Sequence, residues 1–163
     1  MSDSTSSTSP AVPATSVPPT FAHSEVQRVI AAASALQAAA AAVQAASDLG
    51  VPVNIALVDA AGVLAAFVRM PGAPLHSIDI AIDKAYTAAS FGLPTGQWPE
   101  VLATHSAAVR DGIVLRPRFV AFGGGLPMVE NGARIGGIGV SGGSEAQDEI
   151  IARAGLRALG LGL

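Results

Sequence analysis

The residues best suited to chemistry lie close together in one apolar stretch, residues 76–84. His76, Asp79, Asp83 and Lys84 are spaced about one or two helical turns apart, so three of them can share one face of a helix. Lys84 stands among isoleucines and alanines. Its ammonium must therefore extend to solvent, pair with a carboxylate such as Asp79 or Asp83, or face a pocket. In a pocket, Lys84 would anchor an anion or poise an acid, and His76 would move protons. Both are candidate catalytic residues, and Asp79 is a candidate for ligand binding.

The other two histidines give weaker indications. His105 follows Thr104 on an irregular segment that could close over a ligand, which makes it the third candidate catalytic residue. His23 lies beside a polar terminus and is interpreted as a surface residue. The histidine and carboxylate spacings do not match those of zinc sites, so no metal site is predicted. A nucleophile elbow and a lysine-ended phosphate loop are also missing from the sequence.

A run of three glycines, Gly123-Gly124-Gly125, precedes Leu126 and Pro127. Consecutive glycines present bare backbone N–H groups that could receive a carboxylate or let a flat ligand approach. The alternative is a β-bulge or a strand crossing. The three glycines and Glu130 are the remaining candidate ligand-binding residues.

A second glycine pattern, Gly137-x-Gly139-x-x-Gly142, matches the GxGxxG signature of dinucleotide-binding folds. Such folds need a second parallel strand and an acidic residue about 20 positions onward, and here only one helix follows the pattern. We therefore reject a nucleotide site. The alternative is that these glycines, with Gly136, remove side chains where a neighbouring backbone or a ligand comes close.

Two hairpins and several helices are predicted to position these residues. Asn131-Gly132 supplies the positive φ angles of a two-residue turn, and Asp59 to Gly62 suits a second tight turn. Ser144 and Gln147 form a capping box that opens the last helix. The predicted helices are 24–49, 77–91, a less regular 95–109, and one from 144; the predicted strands are 53–58, 63–69, 118–122, 126–130 and 133–140. This order predicts an α+β fold with a five-stranded antiparallel sheet flanked by helices.

Composition narrows the function classes. The chain has 163 residues, half of them hydrophobic, no cysteine, and a formal net charge of −3. One domain without disulfides or thiolate chemistry is expected. Lysines and arginines are scattered, so nucleic acid is not an expected partner. The many small apolar residues favour subunit packing into a homo-oligomer.

The amino-terminal residues differ from the rest. Residues 1–20 are rich in Ser, Thr, Pro and Ala, and match neither a signal peptide nor a membrane span. We predict a disordered tail over residues 1–22, a single domain over residues 23–163, no membrane partner and a cytoplasmic location.

Taken jointly, the motifs resemble the GlcG/HbpS-like family, also called the haem-degrading or DUF336 domain. They are Ile78–Ala89 with its Asp-Lys-Ala centre, Gly123–Pro127, Asn131-Gly132, Ile135–Gly142 and Gln147–Glu149. The resemblance implies a five-stranded antiparallel sheet between helices, a profilin-like three-layer arrangement, and a homo-oligomer. Some members of the family bind haem, others are fused to corrinoid adenosyltransferases, and many are encoded beside catabolic enzymes.

Two main hypotheses for function follow. In the first, the protein binds haem or another small molecule in a subunit crevice, with haem degradation as its candidate activity; His23, His76 or His105 would be the axial ligand. In the second, it is a small cofactor-independent enzyme, a lyase, isomerase or hydrolase, acting on an organic acid or aromatic catabolite through Lys84 and a histidine. A third hypothesis is an accessory role in assembly, with neither property.

Overall fold

The structure, a computed structural model, describes residues 23–162. The predicted tail, residues 1–22, lies outside the described residues. The elements follow in the order α1 (Ala32–Asp48), β1 (Asn54–Asp59), β2 (Leu64–Arg69), α2 (Ser77–Phe91), α3 (Trp98–Ala103), α4 (Ala107–Ile113), β3 (Gly125–Glu130), β4 (Ala133–Ser141) and α5 (Glu145–Ala158), with a 3₁₀ turn at Thr95–Gln97 before α3.

The sheet is antiparallel throughout, with strand order β2-β1-β4-β3. Both predicted hairpins are present. Asn131 and Gly132 have φ of 50° and 77°, as the two-residue turn between β3 and β4 requires. In the turn between β1 and β2, Asp59 Oδ1 accepts the N–H groups of Ala61 and Val63 at 2.8 and 2.9 Å.

The predicted fifth strand, Arg118–Phe122, is wrong: within the described residues the sheet has four strands. The backbone of this segment bonds to a helix side chain instead of a neighbouring strand. Thr87 Oγ1 donates to the Arg118 carbonyl at 2.9 Å and accepts the Val120 N–H at 3.1 Å. Because α2 satisfies these backbone groups, the segment needs no strand partner.

The first helix is shorter than predicted. It begins at Ala32, because Ala31 is extended (φ −71°, ψ 143°), and the N–H of Ile30 donates to the carbonyl of Ile135 in β4. The helix ends near the predicted point, and Gly50 has φ 66°. The last helix has the predicted capping box between Ser144 and Gln147.

Helices cover both faces of the sheet. Alanines of α1 pack with β-strand residues and α5 in the larger apolar cluster, while α2 packs on the opposite face over β1, β3 and β4. A Cβ added at Gly139 would overlap the Ala81 carbonyl, and one at Gly137 would overlap that of Ala85. Two of the three glycines of the GxGxxG pattern, Gly137 and Gly139, therefore let the backbone of α2 lie directly on β4. Of the helices in residues 23–162, none is long and apolar enough to cross a membrane.

Candidate functional site

Helix α2 and its N-cap residue, His76, carry four of the residues singled out by the sequence, but these lie on two sides of the helix. The helix starts at Ser77 and ends where Gly92 adopts the left-handed conformation with φ 69°. Lys84 is buried against the sheet, whereas His76 and Asp79 are exposed. The predicted cluster is thus divided between a buried charged centre and an open surface.

The Lys84 ammonium is buried and bonded within the chain. Its side chain is 1% exposed, and Nζ lies 2.8 Å from Asp148 Oδ2 and donates to the Val140 carbonyl at 2.9 Å. The other oxygen of Asp148 accepts the Gly143 N–H at 3.0 Å. Burial lowers the pKa of Lys84, and the hydrogen bond that its ammonium donates to Asp148 opposes that shift.

The partner of Lys84 is therefore neither Asp79 nor Asp83, the carboxylates considered from the sequence. Asp148 lies 64 residues away and in another helix. Because local spacing reveals only partners on the same helix, this ion pair was missed. The available signal was that Asp148 shares one face of α5 with apolar residues such as Ile151 and Ala152.

Two of the three consecutive glycines donate their N–H groups to side chains of this chain. The Gly123 N–H donates to Glu145 Oε2 at 2.7 Å, and the Gly125 N–H donates to Thr95 Oγ1 at 2.8 Å. Gly124 has φ 112°, and a Cβ there would lie 2.8 Å from Lys84 Nζ. The run thus holds a carboxylate, as its glycines suggested, but that carboxylate belongs to Glu145. A substrate carboxylate would have to displace it.

An open groove lies on the outer side of α2. It has a volume of about 490 Å³, and its walls come from α2, the two residues before it and the segment before β3: Leu75, His76, Asp79, Ile80, Asp83, Val120 and Phe122. The ring of Phe122 separates this groove from the buried centre, since Lys84 Nζ lies 4.9 Å from the ring centroid. The groove therefore has a mainly apolar surface with one imidazole, that of His76, in its wall.

One of the groove's two carboxylates has a cationic partner. Asp83 accepts a hydrogen bond from Arg118 Nε at 2.9 Å, and the Arg118 guanidinium stacks 3.7 Å from the centroid of the Tyr86 ring. Within residues 23–162, His76 makes no hydrogen bond or ion pair through its ring. Its imidazole nitrogens are therefore available to a ligand.

The remaining candidates lie elsewhere. His105 is exposed after α3, with Nδ1 2.8 Å from the Val101 carbonyl. Glu130, at the far end of β3, pairs with Arg28 at 2.9 Å. His23 is exposed at the first described position. In the described part of the chain, no group of three histidine or carboxylate side chains is arranged to hold a metal ion.

Reasoning from the sequence also missed one residue of the groove, Phe122, and the partner of its Asp83, Arg118. Phe122 was assigned to a strand, although its place beside the glycine run could have marked it as a wall residue. Arg118 was assigned to the same strand, and its left-handed backbone, with φ 66°, has no local sequence signal. The arrangement can hold an apolar, planar ligand and offer it one nitrogen donor.

Known proteins resemble this chain over most of its length. Residues 30–157 match the family model described as haem degrading protein HbpS-like. The chain is 38% identical over 122 residues to the corrinoid adenosyltransferase PduO of Salmonella typhimurium, covering 75% of this chain and 36% of that protein. It therefore spans little more than a third of that relative's length.

Two solved structures are similar in fold and sequence. The protein ORFY of Klebsiella pneumoniae gives a TM-score of 0.79 at 32% identity, covering 87% of this chain and 98% of that one. A haem complex of PduOC gives a TM-score of 0.75 at 36% identity, covering 82% and 97%. The resemblance seen in the sequence motifs is confirmed: the chain belongs to the HbpS-like (DUF336) family.

Proposed function

We propose that this protein binds haem or a closely related tetrapyrrole in the groove outside α2, with His76 as the axial ligand. The observation that carries the proposal is an exposed imidazole, unbonded within the described residues, in the wall of a groove of about 490 Å³. This volume falls within the range of about 300–1,000 Å³ that is typical of small-molecule sites.

The side chains of the groove fit such a ligand. Imidazole is a common axial ligand of haem iron. Leu75, Ile80, Val120 and Phe122 supply apolar surface for a macrocycle. Arg118 offsets the charge of Asp83, which would otherwise repel carboxylate substituents on the ligand. The haem complex of PduOC, a structure 36% identical to this chain, supports the same ligand class.

Bound haem would supply one-electron and oxygen chemistry. Haem degradation, which the family description names, is the activity we propose to test with the loaded protein. In this conformation Lys84 and two of the three glycine N–H groups are bonded internally. The cofactor-independent enzyme predicted as the second hypothesis would need those bonds to open, so we favour haem binding.

We also propose that the groove is completed by a second copy of the chain. Leu75 is 74% exposed and Phe122 is 41% exposed, although both line an apolar surface. A second copy would cover these side chains and make the subunit crevice expected from the sequence. Light scattering after size-exclusion chromatography tests this: a homo-oligomer is expected, and a monomer in both free and loaded forms would contradict it.

Titration of the purified protein with hemin, followed at the Soret band, tests the ligand. Wild type should show saturable, stoichiometric binding, and His76→Ala should bind at least about tenfold more weakly, a change of about 1.4 kcal/mol. His105→Ala and His23→Ala are matched controls, because they remove an imidazole outside the groove. Absence of a saturable band in wild type, or unchanged binding by His76→Ala, would refute the proposal.

A further inference from the structure

A second cavity lies on the other side of Arg118 and shares no residue with the haem groove. It is about 300 Å³ in volume and opens between α2 and residues 113–119. Its walls include the rings of Phe91 and Phe119 and the side chain of Ile113, and two arginines, Arg116 and Arg118, also line it. An apolar cavity with two cations is suited to an amphipathic anion.

Arg118 is fixed in a conformation that arginine seldom adopts. Its φ of 66° is in the left-handed region, which is strained for a non-glycine residue and persists only where the surroundings enforce it. The enforcing group is Thr87, a residue 1% exposed, whose hydroxyl bonds to both the Arg118 carbonyl and the Val120 N–H. Strain maintained in this way is typical of functional sites.

The Arg118 side chain is also held in place. Its guanidinium stacks on Tyr86 at 3.7 Å from the ring centroid, and Nε donates to Asp83 at 2.9 Å. Within residues 23–162, neither Nη group makes a hydrogen bond. Both Nη groups are thus left to bind a ligand, and a carboxylate is one of the groups whose geometry a planar guanidinium matches.

The second arginine adds unpaired positive charge. Arg116 is exposed and makes no ion pair with any carboxylate of the described chain. Beside it, the Phe119 ring packs edge-to-face with Phe91 at 6.0 Å and with Trp98 at 4.8 Å, and Trp98 packs on Phe91 at the same 4.8 Å. Rings packed in this way offer preformed aromatic surface to a planar ligand.

We propose that this cavity is a binding site for a small aromatic carboxylate, distinct from the haem groove. The ligand's ring would contact Phe91 and Phe119, and its carboxylate would accept hydrogen bonds from Arg116 and Arg118. The volume is at the lower end of the range for small-molecule sites, so a ligand of one ring or two fused rings fits best.

The chain carries its own reporter for this site, because Trp98 is its only tryptophan and touches both wall rings. We would titrate the full-length protein with benzoate and follow tryptophan fluorescence, with benzamide as the uncharged ligand of the same shape. Saturable change with benzoate is expected, with benzamide binding at least about tenfold more weakly because the charge-assisted hydrogen bonds are lost.

Two variants test the arginines. Arg116→Ala removes an exposed side chain, and Arg118→Asn removes the guanidinium while keeping a residue that tolerates the left-handed backbone. Each should weaken benzoate binding about tenfold. Arg110→Ala, which removes an exposed arginine of α4 outside the cavity, and His76→Ala should leave it unchanged.

Circular dichroism would show that each variant is folded before its affinity is compared. The proposal fails if benzoate gives no saturable change, if benzamide binds equally well, or if Arg116→Ala leaves the benzoate affinity unchanged. It also fails if His76→Ala abolishes benzoate binding, since the ligand would then occupy the haem groove.

Discussion

The two sides of helix α2 have opposite character although the helix is one fifteen-residue segment, directly preceded by its N-cap His76. On the side facing the sheet, the ammonium of Lys84 is 1% exposed and bonded to Asp148 and Val140. On the outer side, His76 and Asp79 are exposed beside an open groove. Residues that look like one cluster in the sequence therefore have different surroundings: Lys84 is bonded within the chain, and the His76 ring has no partner among the described residues.

Desolvation explains the division. A charge taken out of water must be paired and hydrogen-bonded, or it costs several kcal/mol. Lys84 meets that requirement through partners on α5 and β4, so its ammonium is already bonded within the chain. An exposed imidazole has no such requirement, so His76 keeps its nitrogens available. Burial and pairing, more than residue type, distinguish the two sides.

Breaking the buried ion pair should have the largest effect. Lys84→Met leaves Asp148 as an unpaired buried charge, so the free energy of unfolding should fall by about 3–5 kcal/mol. The double variant Lys84→Met/Asp148→Leu removes both charges and should lose much less. Urea denaturation measures both values. If the double variant were no more stable than Lys84→Met, the loss of stability in Lys84→Met would not come from the unpaired charge of Asp148.

Separating α2 from the sheet should have the next largest effect. In Gly139→Ala the new Cβ overlaps the Ala81 carbonyl, a backbone atom that can move only with the helix. We expect a loss of about 1–3 kcal/mol in the free energy of unfolding, as in overpacked cores. Gly112→Ala, in α4 with nothing within 4 Å of the new Cβ, is the control and should be neutral or stabilising. Equal stabilities for the two variants would contradict the close approach of α2 to β4.

The pH dependence of stability gives a smaller effect. Burial lowers the pKa of Lys84 below its ordinary value of 10.5 in the folded state. Between the folded pKa and 10.5, the unfolded chain binds more protons, so stability should rise with pH, by at most about 1.4 kcal/mol per pH unit. Denaturation midpoints through the alkaline range, compared with Lys84→Met/Asp148→Leu, measure this slope. An identical slope in both proteins would show that Lys84 has no lowered pKa.

The sequence predicted the local elements of this fold well. Helix α2, both hairpins and the capping box of α5 follow from signals within a few residues, such as Gly92, Asn131-Gly132 and Ser144. Residues 118–122 have a strand-like composition, but the hydroxyl of Thr87, about thirty residues earlier, binds their backbone. That contact depends on tertiary structure, and local propensity cannot indicate it.

The candidate site was predictable only in part. Helical spacing places His76, Asp79 and Lys84 near one another, but it does not show which side the sheet will cover. The groove contains His76 and Asp79, whereas His105 and Glu130 lie elsewhere. Asp148 and Arg118 were missed because their contacts are set by packing between distant segments.

Hemin titration of Lys84→Met/Asp148→Leu beside His76→Ala tests most directly whether binding belongs to the outer side of α2. The double variant should bind hemin with an affinity within about twofold of wild type, a difference of about 0.4 kcal/mol, while His76→Ala should lose binding. Loss of hemin binding in a folded double variant, with His76→Ala unaffected, would contradict the division of roles between the two sides of the helix.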